Sequence, residues 1–226
     1  MKRLLWPVAV AWALLGSALL APAFSIGSNV RVVLPCDSRP QPKLEKGKLL
    51  VASRGLSDPN FSETVILLLA YEPNGTVGVI INRPSDINLA TVLPEIKPLR
   101  RRPGTVYLGG PVLTNHVLLL IRSTKAPGDS LLVFDHIYAG SSLATLRRAL
   151  ERQGPKDLFR AYAGHAGWAP GQLEAEVGRG DWYVTATNAD TVFTKSPNNL
   201  WRTLVQRVEG DWVHRDDLEP YALHAG

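Results

Sequence analysis

The chain has 226 residues, a formal net charge of +5 at pH 7 and 45% hydrophobic residues. This composition excludes a disordered chain and suffices for one domain with a sizeable core. The single cysteine, Cys36, excludes an internal disulfide and any zinc or redox site built from cysteines.

The first 23 residues are predicted to be a signal peptide. Two basic residues precede an uncharged apolar stretch at residues 4–20, and Ala21-Pro22-Ala23 is a small-residue cleavage pattern. We therefore expect cleavage after Ala23 and export to the periplasm or the medium. The alternative is an uncleaved membrane anchor at residues 4–24, because about 20 apolar residues can span a bilayer.

Segments of different composition flank the expected domain. Residues 24–47 are rich in proline and charged residues, so they are expected to form a linker. Cys36 in this linker is expected to be a free thiol, and an intermolecular disulfide is the alternative. The folded domain is expected to span residues 48–208. Residues 209–226 are charged and aperiodic, so they are expected to form a loosely attached tail.

Within that domain, short apolar runs separated by turn residues predict strands early in the chain and helices later. Asn74-Gly75 between two apolar runs is a strong hairpin signal. Strands are expected at residues 48–53, 65–71, 76–81, 105–108, 116–122, 130–134, 158–163 and 182–187, and helices at 89–93, 141–153, from Pro170 onward and at 197–208. We predict an α+β fold, with a largely antiparallel or barrel-like sheet and three to four helices packed on it.

A glycine-rich stretch, Gly164-His-Ala-Gly-Trp-Ala-Pro-Gly-Gln-Leu-Glu174, follows the strand expected at residues 158–163. The sequence predicts a turn there, with Trp168 as its anchor. Pro170 is expected in the first turn of the following helix, where its missing N–H costs nothing.

Most signatures of catalysis and cofactor binding are absent from the sequence. It contains no glycine-rich nucleotide loop, no hydrolase elbow, and no two histidines at a metal-binding spacing. We therefore expect no metal and no cofactor. No helix carries the basic face of a DNA reader, so no nucleic-acid partner is expected. The basic run Arg100-Arg101-Arg102 is interpreted as a solvated loop, with phosphate binding as the alternative.

Four separated motifs resemble those of the YqgE/AlgH family of bacterial and plastid proteins, in the same order and spacing. They are Ser53-Arg-Gly-Leu-Ser-Asp-Pro-Asn-Phe-Ser-Glu-Thr-Val65, Gly78-Val-Ile-Ile-Asn-Arg-Pro84, Val106-Tyr-Leu-Gly-Gly-Pro-Val112 and the stretch Gly164–Glu174. The resemblance covers residues 48–208. It implies a compact α+β domain without a known cofactor, in a family that is largely uncharacterised and is labelled as regulatory.

The favoured hypothesis is a non-enzymatic binding or regulatory domain. Its candidate binding residues end strands or open the last motif helix, and we expect them to meet in one cleft: Ser57, Asp58, Asn82, Arg83, Gly109, Gly110, Trp168 and Gln172. Arg83 would bind a carboxylate or phosphate of a small anionic ligand bidentately, and a protein partner is the alternative. A purely structural role, in which these residues fasten loops through buried hydrogen bonds, is the competing interpretation.

Two other functions stay open at this point. An enzyme of unknown class would use Asp58, His165 or Glu174 as a general acid or base. An uncleaved leader would instead make the chain a membrane-tethered interaction protein.

Overall fold

The computed structural model describes residues 43–100, 104–151 and 158–216, and side chains up to residue 210. The expected leader, almost all of the expected linker with Cys36, Arg101, Arg102 and the last ten residues lie outside the described part. Within that part, no helix has the length and apolar character needed to cross a membrane.

The described residues form ten strands, five α-helices and one 3₁₀ helix. The strands are β1 (Leu49–Ala52), β2 (Val65–Glu72), β3 (Gly75–Ile80), β4 (Pro84–Asn88), β5 (Thr105–Leu108), β6 (Val112–Arg122), β7 (Leu131–Phe134), β8 (Ile137–Gly140), β9 (Leu158–Trp168) and β10 (Trp182–Thr185). The helices are α1 (Leu89–Val92), the 3₁₀ helix (Lys97–Arg100), α2 (Leu143–Glu151), α3 (Gln172–Gly178), α4 (Ala189–Val192) and α5 (Pro197–Asp216).

The strands form one open sheet in the order β10-β1-β2-β3-β9-β6-β8-β7, with β4 and β5 off this path. All pairings are antiparallel except that of β5 with β9. The predicted α+β fold with a largely antiparallel sheet is thus confirmed, and the sheet is open.

Strand β9 is the hub of the sheet because it pairs with three other strands. Residues 166–168 pair with β3, residues 161–163 pair with β5, and β6 runs along most of its length. Since a strand has two edges, β3 and β5 share one edge of β9 and meet where they leave it. Any residue near that meeting point must fit between three backbones.

Hydrophobic clusters cover both faces of the central strands. Alternate residues of β6 enter opposite hydrophobic clusters, as the period of two in a strand requires: Leu118 and Leu120 pack in one cluster, and Leu119 and Ile121 in the other. The first cluster includes the buried face of α5, and the second includes α2. Burial on both faces explains the nearly continuous apolar runs of the sequence.

The glycine-rich motif differs most from its prediction. Residues 164–168 belong to strand β9, whereas a turn was predicted after Ala163. Helix α3 begins only at Gln172, so Pro170 precedes the helix, and Gly171 with φ of 77° forms its N-cap. The pairing of β3 with the end of β9 keeps this segment extended, and local glycine content does not reveal such a long-range pairing.

Other elements were not predicted from the sequence. Strand β4 begins at Pro84, where a strand end was expected, because β5 provides it with a partner. Strand β8, helix α4 and the 3₁₀ helix are too short for a clear period, and β6 begins at Val112, four residues before the predicted start. Helix α5 continues through Asp216, beyond the predicted end at Val208.

Candidate functional site

Three glycines allow the backbone at residues 109–110 to pass in close contact with β9. We call Gly109, Gly110 and Gly164 the glycine crossing. Gly109 donates its N–H to the carbonyl of Ala163 at 2.8 Å. A Cβ on Gly109 would lie 2.9 Å from Cγ2 of Val79 and would overlap the carbonyl oxygen of Gly164. Gly110 and Gly164 have φ of 150° and 71°, a backbone region that favours glycine.

Asn82 is a buried amide that fastens the turn before β2. Its Oδ1 accepts from the N–H of Val65 at 2.7 Å, and its Nδ2 donates to the carbonyl of Glu63 at 3.0 Å. Glu63 has φ of 57°, which is uncommon for a residue with a side chain. Both ends of the Asn82 amide are therefore engaged in holding a strained turn.

Arg83 holds the same turn one residue further along the chain. Its guanidinium donates to the carbonyl of Asn60 at 2.7 Å and to that of Ser62 at 2.9 Å. Burial lowers the pKa of Arg83, and the neighbouring Asp58 carboxylate partly opposes that shift. The guanidinium thus already binds two backbone oxygens in the fork geometry that a carboxylate ligand would need.

Asp58 starts the turn and stabilises it from within. Its Oδ1 accepts from the N–H of Asn60 at 2.8 Å, and its carbonyl accepts from the N–H of Ser62 at 2.7 Å. This is the self-bonding pattern typical of Asp in turns. Ser57 precedes it and is exposed.

Aromatic rings connect this turn to the glycine-rich motif. Phe61 lies with its ring centroid 6.3 Å from that of Trp168 and 5.9 Å from that of Trp182. Both indole N–H groups donate to Oε2 of Glu176, at 2.8 and 2.9 Å, and Gln172 Nε2 donates to Oε1 at 3.0 Å. Glu176 was not predicted, although its position four residues after Gln172 places the two side chains on one helical face.

The predicted residues other than Ser57 therefore belong to one connected network. The turn at residues 58–65 joins Asn82 and Arg83 to Trp168 through Phe61. The glycine crossing is joined to Arg83 through Leu108, whose N–H donates to the Arg83 carbonyl at 2.8 Å. These contacts are those that a structural role requires, and a ligand cleft formed by these residues stays a prediction.

Beside the crossing, part of β6 leaves the ladder. Val112 pairs with His165 and Val117 pairs with Ala163, so four residues of β6 lie opposite one residue of β9. These residues lie within the bounds of β6 and form a bulge, and we call residues 113–116 the β6 loop. All four are exposed, and Leu113 has φ of 51° with 53% of its surface accessible. A Cβ on Gly164 would lie 2.9 Å from the carbonyl oxygen of Val112, so the crossing supports the base of this loop.

The three acid–base candidates occupy different parts of this network. Asp58 lies in the turn, and Glu174 Oε1 accepts from the hydroxyl of Tyr71 at 2.6 Å, which raises the pKa of that tyrosine. His165 is half-buried on β9. Burial and the charge of His116 lower the pKa of His165, so the neutral imidazole is favoured in the folded protein.

Among residues 43–100, 104–151 and 158–216, no group of three His, Cys, Asp or Glu side chains is arranged to hold a metal ion.

Comparison with known proteins defines the class of protein. Residues 49–213 match the sequence profile of the AlgH-like family (DUF179), so the chain belongs to this family. A UPF0301 protein of Streptomyces coelicolor is 36% identical over 168 residues, which cover 73% of this chain and 87% of that protein. A UPF0301 protein of Xanthomonas campestris is 33% identical over 181 residues, which cover 77% of this chain and 95% of that protein.

Solved structures share the fold. The AlgH protein from Pseudomonas aeruginosa, determined in solution, superposes with a TM-score of 0.61 at 30% identity over 74% of this chain and 92% of that chain. A crystal structure of a Corynebacterium diphtheriae protein gives a TM-score of 0.64 at 24% identity over 75% of this chain and 90% of that chain. The predicted resemblance to the AlgH family is therefore confirmed.

The glycine crossing yields a stability prediction. Gly109→Ala is expected to lower the free energy of unfolding by about 3 kcal/mol, because the new methyl group must displace backbone atoms. Gly178→Ala is the control, since Gly178 ends α3 with no atom within 4 Å of an added Cβ. It is expected to change stability by less than about 1 kcal/mol. Urea unfolding measures both values, and similar values for the two variants would contradict the role of the crossing.

His165 yields a prediction about pH. The pKa of His165 in the folded protein lies below its unfolded value, so its contribution to stability is present above about pH 6.5 and is lost as pH falls. His165→Gln should therefore flatten the decline in unfolding free energy below about pH 6.5. His116→Asn should flatten it in part. Urea titrations between about pH 7.5 and 5.5 test this prediction. Asp129, whose pKa is also lowered, would contribute to the pH dependence of stability only in a more acidic range. Parallel profiles for wild type and His165→Gln would refute it.

Proposed function

We propose that the chain is a non-enzymatic binding domain with a regulatory role, and that the β6 loop is its recognition element for another protein. The observation that carries this proposal is the exposed loop at residues 113–116, which leaves the β6–β9 ladder directly above the glycine crossing. An exposed segment on a rigid base is a usual arrangement for binding residues. Bulges of this kind change the direction of side chains, and they are common next to functional sites.

The chemistry of the loop supports a protein partner. Leu113 has a half-exposed apolar side chain and a left-handed backbone conformation. Both features are unfavourable for the stability of the fold. Leu108, just before the crossing, is 48% exposed. An exposed apolar group amid the polar Thr114, Asn115 and His116 resembles the anchor and rim of a protein interface.

The small-anion alternative is less well supported. The Arg83 guanidinium donates two of its N–H groups to backbone carbonyls, and Asp58 lies close enough to affect its pKa. An incoming carboxylate would have to compete with these carbonyls and approach a like charge.

A catalytic role is also less well supported. The Asp58 carboxylate bonds its own turn and Glu174 bonds Tyr71, so each has a local structural partner. The motif residues donate mainly to backbone oxygens and to Glu176. A binding domain accounts for all of these contacts without requiring a nucleophile and base.

We also propose that the protein acts outside the cytoplasm, because residues 1–23 have the composition of a cleaved signal peptide. N-terminal sequencing of the full chain after expression in a bacterial host should yield Phe24 as the first residue of the exported form. Retention of residues 1–23 in a membrane fraction would instead favour the tethered alternative.

The loop proposal predicts the effect of one substitution. Leu113→Asp should weaken binding of the partner by at least about 30-fold, which corresponds to about 2 kcal/mol, because it places a charge at the interface anchor. Leu131→Asp is the matched control, since Leu131 is 72% exposed on β7, away from the loop. The immobilised full chain would capture a partner from the extracytoplasmic proteins of the producing cell, and the purified partner would then be titrated against each variant.

Two outcomes would refute the loop proposal. One is equal affinity of the Leu113→Asp and Leu131→Asp variants for the purified partner. The other is capture of the same proteins by wild type and Leu113→Asp. Unfolding curves for both variants establish that a loss of binding is not a loss of folding.

A further inference from the structure

A second surface feature lies away from the motif network, between the 3₁₀ helix and α2. A hollow of about 260 Å³ opens there to solvent. It is lined by Glu95, Ile96, Lys97, Pro98, Arg147 and Glu151. None of these residues belongs to the glycine crossing, the turn at residues 58–65 or the β6 loop, so the hollow is independent of the proposed function.

Among the residues that the structure describes, two cations and two anions line the hollow. Lys97 and Arg147 face it with positive charge, and Glu95 and Glu151 with negative charge. Arg147 and Glu151 are four residues apart on α2, a spacing at which opposite charges commonly pair. In the described part of the chain, however, none of the four makes an ion pair or a side-chain hydrogen bond.

The floor of the hollow is apolar. Ile96 is 2% exposed and packs in the second hydrophobic cluster, where Leu146 and Leu150 of α2 also lie. Pro98 adds a second apolar wall. The volume is just below the range of about 300–1,000 Å³ typical of pockets for drug-sized molecules, which indicates a smaller ligand.

The helix orders these charges along the hollow. Glu151 lies one helical turn after Arg147 on α2, so a negative charge follows a positive one. A ligand cation is therefore favoured at the Glu151 end of the hollow. A ligand carboxylate is favoured one turn earlier, where the Arg147 guanidinium can bind it bidentately with help from Lys97.

From this arrangement we propose that the hollow is a binding site for a free α-amino acid with an apolar side chain. The ligand ammonium lies at Glu151 and Glu95, its carboxylate at Arg147 and Lys97, and its side chain on Ile96 and Pro98. Each of the four protein charges then lies near a ligand charge of opposite sign, whereas a singly charged ligand would pair with only two of them.

The experiment separates the two ligand charges. L-Leucine, N-acetyl-L-leucine and L-leucine methyl ester are each titrated into the full chain and followed by NMR chemical shifts and calorimetry. L-Leucine is expected to bind with a Kd of about 1 mM, and each blocked form at least about 10-fold more weakly. Shifts should be centred on the backbone amides of residues 95–99 and 147–151.

Substitutions then assign the ends of the ligand. Arg147→Gln and Glu151→Gln are each expected to weaken L-leucine binding at least about 10-fold, since each removes the partner of one ligand charge. Arg202→Gln, an exposed arginine of α5, is the control and should bind as wild type does. Lys97→Gln, on the other side of the hollow, provides a second cation variant if Arg147→Gln does not fold.

The proposal is overturned if the three leucine forms bind equally, if Arg147→Gln or Lys97→Gln retains wild-type affinity, or if no binding is seen up to about 10 mM. None of these results depends on the β6 loop. The proposed partner interaction is tested separately by Leu113→Asp.

Discussion

The contact between the backbone at Gly109–Gly110 and the backbone at Gly164–His165 is the constraint on which the rest of the structure depends. At this point β3, β5 and β6 all reach β9, and there is no room for a side chain between them. Because proteins pack their interiors to near-crystalline density, an added methyl group would have to move backbone atoms. The contact fixes where β5 and β6 leave the hub, and with it the position of the β6 loop.

The two proposed binding surfaces differ in their physical properties. The β6 loop is held on strained backbone above a rigid base, and it presents one leucine with polar neighbours. The hollow at α2 is bordered by long side chains, and its specificity for a ligand would come from charge. A protein partner suits the first, because affinity at protein interfaces is concentrated in a few anchors. A small zwitterion suits the second, because the hollow offers a partner of opposite sign to each of its two charges.

Sequence reasoning succeeded where the determinants are local. The hairpin at Asn74-Gly75 and the apolar strands around it follow from turn chemistry and β-branched content, and the structure contains them. Asn82, Arg83 and the paired glycines were selected as candidates from their place in separated motifs. Their contacts could not be predicted, because Asn82 and Arg83 bond backbone atoms about 20 residues away. Residues 164–168 were predicted as a turn for the same reason, since their strand partners lie elsewhere in the chain.

Glu176 has a consequence for how the domain opens. One carboxylate accepts from an indole on β9, an indole on β10 and an amide of its own helix α3. None of these three elements can leave its place without removing a donor from this partly buried carboxylate. Local opening should thus release them together as one cooperative unit, so their backbone amides would exchange with solvent at a common rate.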